Sequence, residues 1–315
     1  MDDFTLRRAL TGGYDLWHLH WPDDFLSYPA TGTAVVYVLA ELILMALARM
    51  RGTKILWTIH DLGPHESRHP WLERLFWPLF LAMIGGYVTL SEHARGAALD
   101  QFPQLHNVPG AVVRHGHYRT AYPERTPMLQ ARETLGLPSE DPVLAYFGRI
   151  RPYKNVQSLL EAFRAIDDTA AHLYVAGNPF SSALAEQIQH AAGTSSRIHL
   201  DLRFFPEQEV PDVFGAADLI VLPYEDILHS GTALLSLSFD RPVLVPDRGA
   251  MSELQKRVGS EWVRTFQGDL TPQILTDCIE WVLHRNRANR APLGNLSWTQ
   301  ISSETISFYQ QVLDV

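Results

Sequence analysis

A chain of 315 residues, 46% hydrophobic and 19% charged, has the composition of a folded globular protein and the length for two domains of ordinary size. Its formal net charge of −9 excludes a general nucleic-acid binder, whose affinity rests on basic surface, but leaves room for a local basic pocket. A single cysteine, Cys278, excludes an internal disulfide and a thiolate metal cluster and points to a reducing cytoplasm. The 14 histidines show no HExxH and no tight ligand spacing, so no metal is expected.

The opening Met1-Asp2-Asp3-Phe4 is acidic, unlike a secretory signal. Residues 14–20 alternate as a strand does and run into the polar loop Pro22-Asp23-Asp24. Residues 34–51 are apolar at helical spacing and stop at Gly52. A strand at 54–60, a loop at 61–66 and a helix at 71–84 follow. The apolar runs 34–48, broken by Glu41, and 75–84, broken by Pro78, are short for a bilayer span and read as buried or membrane-facing helices. After Gly85-Gly86 come a strand at 87–90, a helix opened by Ser91, and a last short strand with its loop at 111–118.

The polar stretch 119–127, with two prolines, reads as an interdomain linker. A short helix then ends at Gly136, and strand 143–147 starts a second series. Asn155 is the expected N-cap of a helix to about residue 166. Strands at 172–176, 198–202, 219–223 and 242–245 alternate with helices at 182–192, 208–216 and 232–239. The tail 298–313 is an amphipathic helix starting after Ser297. Strand–helix alternation of this kind predicts parallel α/β sheets.

In such sheets ligands bind at the carboxyl ends of the strands. The candidates there are His18, His20, His60, Asp61, His65, Glu92 and His115 in the first half. In the second they are Arg149, Lys154, Asn178, Glu225, Asp226, His229, Ser230 and Gly231. Strand 143–147 ends at Gly148, and Arg149, Arg151 and Lys154 follow before the next helix. Cations in such a turn can neutralise a diphosphate; the plain alternative is a solvated basic turn. Ser230-Gly231-Thr232, leading into an apolar helix, offers backbone N–H groups to an anion, or is simply an N-cap. His60 at a strand end can orient a sugar hydroxyl, act as a base, or serve structure alone.

Several stretches together resemble the nucleotide-sugar glycosyltransferases of the GT-B fold, nearest to the large retaining family 4. They are Phe147-Gly-Arg-Ile-Arg-Pro-Tyr-Lys-Asn, Val175-Ala176-Gly177, residues 216–224, Arg241-Pro242-Val243, residues 88–92 and Arg114-His115-Gly116. The resemblance implies two Rossmann-like domains facing a central cleft: an acceptor-side domain at 1–120, a nucleotide-sugar domain at 121–296, and a helix at 297–315 crossing back to the first. It implies that Arg149 and Lys154 grip the donor diphosphate, that Gly148, Ser230, Gly231 and Thr232 complete the donor site, and that His60 touches the donor sugar. It also implies a hexose donor linked to UDP or GDP, a lipid-linked or oligosaccharide acceptor, and a cytoplasmic enzyme at the inner face of the membrane. No metal or other cofactor is needed.

Two departures stand out. The family's pair of glutamates, eight positions apart, would fall at Ile227 and Leu235, neither acidic; Glu225 is the nearest replacement. Only 13 residues precede Tyr14, where the family has a strand and a Gly-rich loop, so either the sequence starts late or the first sheet lacks its opening strand. The Tyr224–Thr232 loop, with His18-Leu-His-Trp-Pro, resembles a bacterial exopolysaccharide branch. The resemblance implies a retaining transfer, which needs no protein nucleophile; inversion would need a base, with His20, Asp61 and His65 as candidates. The other reading is a GT-B module that binds a sugar nucleotide or a partner without turnover. The Trp- and Phe-rich segment 71–81 is either core or a membrane-resting surface.

Overall fold

The computed structural model describes residues 10–63, 68–167, 169–284 and 287–314. The chain forms two compact units, one of Met1–His115 with Trp298–Val315, the other of Gly116–Ser297. Each is an α/β unit on a parallel sheet.

The first unit contains strands β1 (Leu16–His20), β2 (Lys54–Ile59), β3 (Gly86–Thr89) and β4 (Gly110–Val112), paired in parallel in the order β1-β2-β3-β4. Helices α1 (Thr31–Met50), α2 (Pro70–Leu81) and α3 (Glu92–Gln101) supply one covering layer. Side chains alternate across β2. Ile55, Trp57 and Ile59 join Ala34, Val38, Met45, Phe76, Phe80 and Ala98 in one core, while Leu56 belongs to another. Ser91 caps α3 through its hydroxyl, which accepts from the Ala94 N–H at 3.0 Å. β4 is the short strand expected at the start of 111–118, and the rest of that stretch is loop. β3 ends at Thr89, whose carbonyl takes the Val113 N–H, so the residues beyond have no partner strand.

Helix α1 is longer than its apolar run suggested. At 20 residues, about 30 Å, it matches a bilayer core in length and hydropathy, with 28% of its most apolar window buried. It does not stand apart from the sheet, because Ala34, Val38 and Met45 sit in the core with β2 and α2. The opposite face carries exposed Val36, Tyr37, Leu39 and Ile43, where a surface helix ordinarily carries charges.

The second unit begins with α4 (Met128–Leu135), followed by β5 (Val143–Phe147), α5 (Val156–Arg164), β6 (His172–Ala176), α6 (Ser182–Ala192), β7 (Ile198–Asp201), α7 (Val210–Ala216) and β8 (Leu219–Val221). Then come α8 (Gly231–Ser238), β9 (Val243–Pro246), α9 (Met251–Val258), β10 (Val263–Phe266) and α10 (Pro272–His284). The last three were not foreseen. All six strands are parallel, in the order β10-β9-β8-β5-β6-β7. Counted within the unit this is 6-5-4-1-2-3, the doubly wound dinucleotide-binding order, whose topological switch point lies between β5 and β8. The strands are nearly continuous apolar runs, as a sheet covered on both faces requires.

The final helix, α11 (Trp298–Leu313), is part of the first unit. Ile301, Phe308 and Val312 pack with Leu56, Val88 and Val113 on the face of the sheet that α1 leaves open. Gly86 permits this approach, since a Cβ there would lie 2.8 Å from a Val312 methyl.

Candidate functional site

The switch point of the second sheet is where β5 delivers Gly148. Its φ of 131° suits glycine, and a Cβ would be 3.4 Å from Thr232 Oγ1, so the turn after β5 lies against the start of α8. Backbone pairing continues beyond the strands: Gly148 N–H donates to Ala176, Ile150 N–H to Asn178, and Phe180 N–H to Ile150. Gly177 sits in this seam, its would-be Cβ 1.8 Å from the Gly148 carbonyl oxygen. Buried Ile150 anchors the turn, and Arg149 on its solvent side is exposed.

Lys154 ends a 3-10 turn, Pro152–Lys154, that restarts the helical direction. Its ammonium lies 3.9 Å from the Tyr224 ring centroid, a cation–π contact that holds a flexible side chain in one place. The Glu225 N–H donates to the Tyr153 carbonyl, which ties the turn after β8 to the turn after β5. Asn155, the expected N-cap, has a left-handed backbone (φ 53°) and makes no side-chain cap bond; it closes the 3-10 turn instead, a conformation asparagine tolerates.

Beside this turn is a cavity of about 360 Å³ lined by Phe147, Gly148, Arg149, Gly177, Phe180 and Phe204, among others. Phe180 and Phe204 expose half or more of their surface, and Arg151 lies 4.2 Å from the Phe180 ring centroid. Flat apolar faces next to fixed cations suit a planar base joined to phosphate.

The structure thus brings Gly148, Arg149, Lys154 and Thr232 to one sheet edge. Gly231 is the first residue of α8, whose leading N–H groups have no acceptor within the helix. Ser230 has a structural duty: its hydroxyl accepts from the Ala233 N–H at 3.0 Å and caps the helix. Glu225 points its carboxylate to solvent while its backbone binds Tyr153 and Arg248. Ile227 and Leu235, where the family's glutamates would stand, are core residues.

The first unit gathers histidines. At the ends of β1 and β2, which run in register, His20 Nδ1 lies 2.8 Å from His60 Nε2. His18 reaches Tyr309 of α11 through Nδ1 (2.5 Å) and Thr58 Oγ1 through Nε2 (2.6 Å). Burial, then the nearby His20 and His60, pushes the His18 pKa down to about 3, so this imidazole is neutral. Burial lowers the His20 pKa as well. Trp21 stacks on His60, with ring centroids 4.1 Å apart and planes 15° from parallel. Asp61 follows on the same strand end, close enough that its charge, after burial and Asp24, helps raise the Asp23 carboxyl to about 6. His65 lies outside the described residues. The roles of stacked Trp21, the Tyr309 clamp and the Tyr224 ring escaped sequence reading, although Trp21, beside His20 in a His-Trp-Pro run, and Tyr224, at the head of the 224–232 loop, carried a local signal.

Two α/β units, one with the doubly wound order and a cationic turn at its switch point, define the class of two-domain nucleotide-sugar transferases with a GT-B fold. Comparison with known proteins agrees. The family model for group 1 glycosyl transferases matches residues 141–284. A GDP-mannose:glycolipid 4-beta-D-mannosyltransferase of Xanthomonas campestris pv. campestris is 31% identical over 313 residues, 98% of this chain and 83% of that protein. Sucrose-phosphate synthase of Thermosynechococcus elongatus superposes with a TM-score of 0.70 at 18% identity, over 98% of this chain and 76% of that one. Anabaena HepE, in complex with UDP-glucose, does so with a TM-score of 0.62 at 18% identity, over 87% and 75%. The chain belongs to the group 1 glycosyltransferases and is a nucleotide-sugar-dependent glycosyltransferase of the GT-B fold.

Proposed function

We propose that the protein transfers mannose from GDP-mannose to the hydroxyl of a sugar carried on a lipid, forming a β linkage. The donor side rests on one observation, the Gly148–Lys154 turn at the switch point with an aromatic cavity beside it and the α8 N-terminus against it. The diphosphate would sit on Arg149, Lys154 and the N–H groups of Gly231 and Thr232, and the base between Phe180 and Phe204. As the bond from C1 to the β-phosphate oxygen breaks, its electron pair leaves with GDP, and fixed cations stabilise the growing charge. Mannose and nucleotide come from the Xanthomonas relative, whose name states both.

That relative makes a β linkage, whereas GDP-mannose holds its sugar in α linkage, so the proposed transfer inverts C1. Inversion needs a base on the acceptor. His20 suits the role: its lowered pKa keeps it neutral, and a tautomer donating Nδ1–H to His60 leaves the Nε2 lone pair to accept a proton. The acceptor oxygen attacks C1 from the face opposite GDP, and its hydroxyl proton passes to the base. His60, hydrogen-bonded to His20, orients that base.

A lipid-borne acceptor also accounts for α1. We place its exposed stripe, with Trp71, Leu75 and Leu79 of α2, flat on a membrane, flanked by exposed Arg49, Arg51 and Arg74. This makes the enzyme a peripheral one in exopolysaccharide assembly. Its reaction requires no metal, because protein cations receive the leaving group.

The test is transfer of labelled mannose from GDP-mannose to a lipid extract. Lys154→Ala is expected to lower donor affinity or turnover at least tenfold, with its melting temperature unchanged. Full activity in Lys154→Ala, or GDP-mannose binding with neither transfer nor hydrolysis, would overturn the reading.

A further inference from the structure

We propose that Trp21 is the floor of an acceptor-sugar subsite, receiving the pyranose ring whose hydroxyl is to be glycosylated. The subsite rests on the acceptor reading above and extends it to a residue of its own. Three observations carry it.

First, Trp21 holds a backbone conformation with φ 48°, costly for a bulky residue, and does so just before buried Pro22. Such strain persists where the surroundings enforce it, and it turns the indole away from the core that a tryptophan ordinarily enters. Half of its surface is exposed. Second, the ring is fixed: His60 stacks on it, and His60 is hydrogen-bonded to His20. A large flat apolar ring, immobilised before any ligand arrives, binds without a further ordering cost. Third, the ring stands beside the imidazole that takes the acceptor's proton, its centroid 5.8 Å from that of His20.

The ligand class follows from shape and polarity. A hexopyranose has C–H groups on its faces and hydroxyls around its rim. One face can lie on the indole, with weak C–H contacts to the π system, while a rim hydroxyl reaches His20 Nε2. A nucleobase could also lie on an indole, but the second unit has an aromatic cavity next to its phosphate turn. In the proposed function bilayer contact is carried by α1 and α2, where exposed Tyr37 packs against Tyr28 rather than beside the His20–His60 pair.

The experiment is saturation-transfer NMR with methyl β-D-glucopyranoside and methyl α-D-mannopyranoside as probes, on the full chain with GDP present. Trp21→Gly is the informative variant, since glycine accepts the left-handed backbone and loss of signal then reports the missing ring rather than a distorted loop. In the wild type, transfer is expected to one C–H face of at least one probe. It should fall at least tenfold in Trp21→Gly and return in Trp21→Phe, while the Kd for GDP stays within twofold. Steady-state transfer should show a tenfold rise in acceptor KM in Trp21→Gly. Absence of a signal from either probe in the wild type, or a signal that survives Trp21→Gly, overturns the subsite; so does loss of GDP affinity, which would make the ring a nucleotide platform. Glycoside binding through Trp21 in a protein that transfers no mannose would sink the mannosyltransferase reading and leave the subsite standing. Mannose transfer untouched in Trp21→Gly would do the reverse.

Discussion

Gly177 shows how little slack the donor turn has. A Cβ there would meet the Gly148 carbonyl oxygen at 1.8 Å, and backbone cannot swing aside as a side chain can. Gly177→Ala must therefore part the seam between the extensions of β5 and β6. A loss of about 2–4 kcal/mol is expected. Thermal melting should show it as a lower Tm, and GDP titration as weaker binding at temperatures where the variant is still folded. An unchanged Tm would mean that the two turns are not held together as described. Gly148, Arg149 and Lys154 were legible in the sequence because a strand, a glycine and a cationic turn are neighbours in the chain. The grip on Lys154 was not, since Tyr224 lies on another strand end and meets it only through the sheet order. Likewise, nothing local announced that His18 would have Tyr309 for a partner, 291 residues away. The Trp21–His60 stack depends on the parallel register of β1 and β2 and on one left-handed residue.

At the scale of elements, α1 was legible as a helix but its exposure was not. Apolar residues surround it, so periodicity does not say which face the sheet takes. Glu41 breaks that apolar surface, and it is on the partly buried side. Burial raises its carboxyl pKa from the usual 4.5 to about 7. The folded state therefore holds this proton where the unfolded chain has lost it. Stability from the neutral form is present below pH 4.5 and is lost as pH rises through about 7. Glu41→Gln is accordingly expected to raise stability at pH 8.5 by up to about 3 kcal/mol, a shift of several degrees in Tm, and to leave it nearly unchanged at pH 4.5. Melting curves at the two pH values check this; equal effects at both would place the carboxyl in water. Edge strand β10 was the least legible strand, missing from the sequence reading, whereas edge strands β1 and β7 were read nearly to the residue. β4 stops at three residues because its neighbour ends, a fact about β3 rather than about the sequence of β4.

For the whole molecule, strand–helix alternation was enough to read two parallel α/β sheets, and family-like stretches spread along the chain were enough to read GT-B. What alternation cannot show is charge placement. A chain of net charge −9 is repelled by anionic lipid, so binding to such a surface must come from local features. The exposed face of α1, uncharged at Val36, Tyr37, Leu39 and Ile43, and the arginines at 49, 51 and 74 are those features. Co-sedimentation with phosphatidylglycerol vesicles is expected for the wild type and should weaken at least tenfold in a Val36→Glu, Ile43→Glu double variant. Binding should also weaken as salt rises, without vanishing, because the apolar part is not screened. Equal sedimentation of variant and wild type would remove the membrane from the proposed function.

The clamp on His18 has a consequence in time. The first unit is assembled from two stretches of chain separated by all of the second, so Tyr309 is made only after the whole of that unit. Until α11 docks, one face of the β1–β4 sheet is bare and the imidazole behind the proposed base lacks one of its two partners. A nascent chain can complete its second unit, with the turn proposed to grip the donor, well before its first unit is finished. A chain that stops short of Trp298 would keep the turn proposed to hold the diphosphate but lack the helix that closes the first unit.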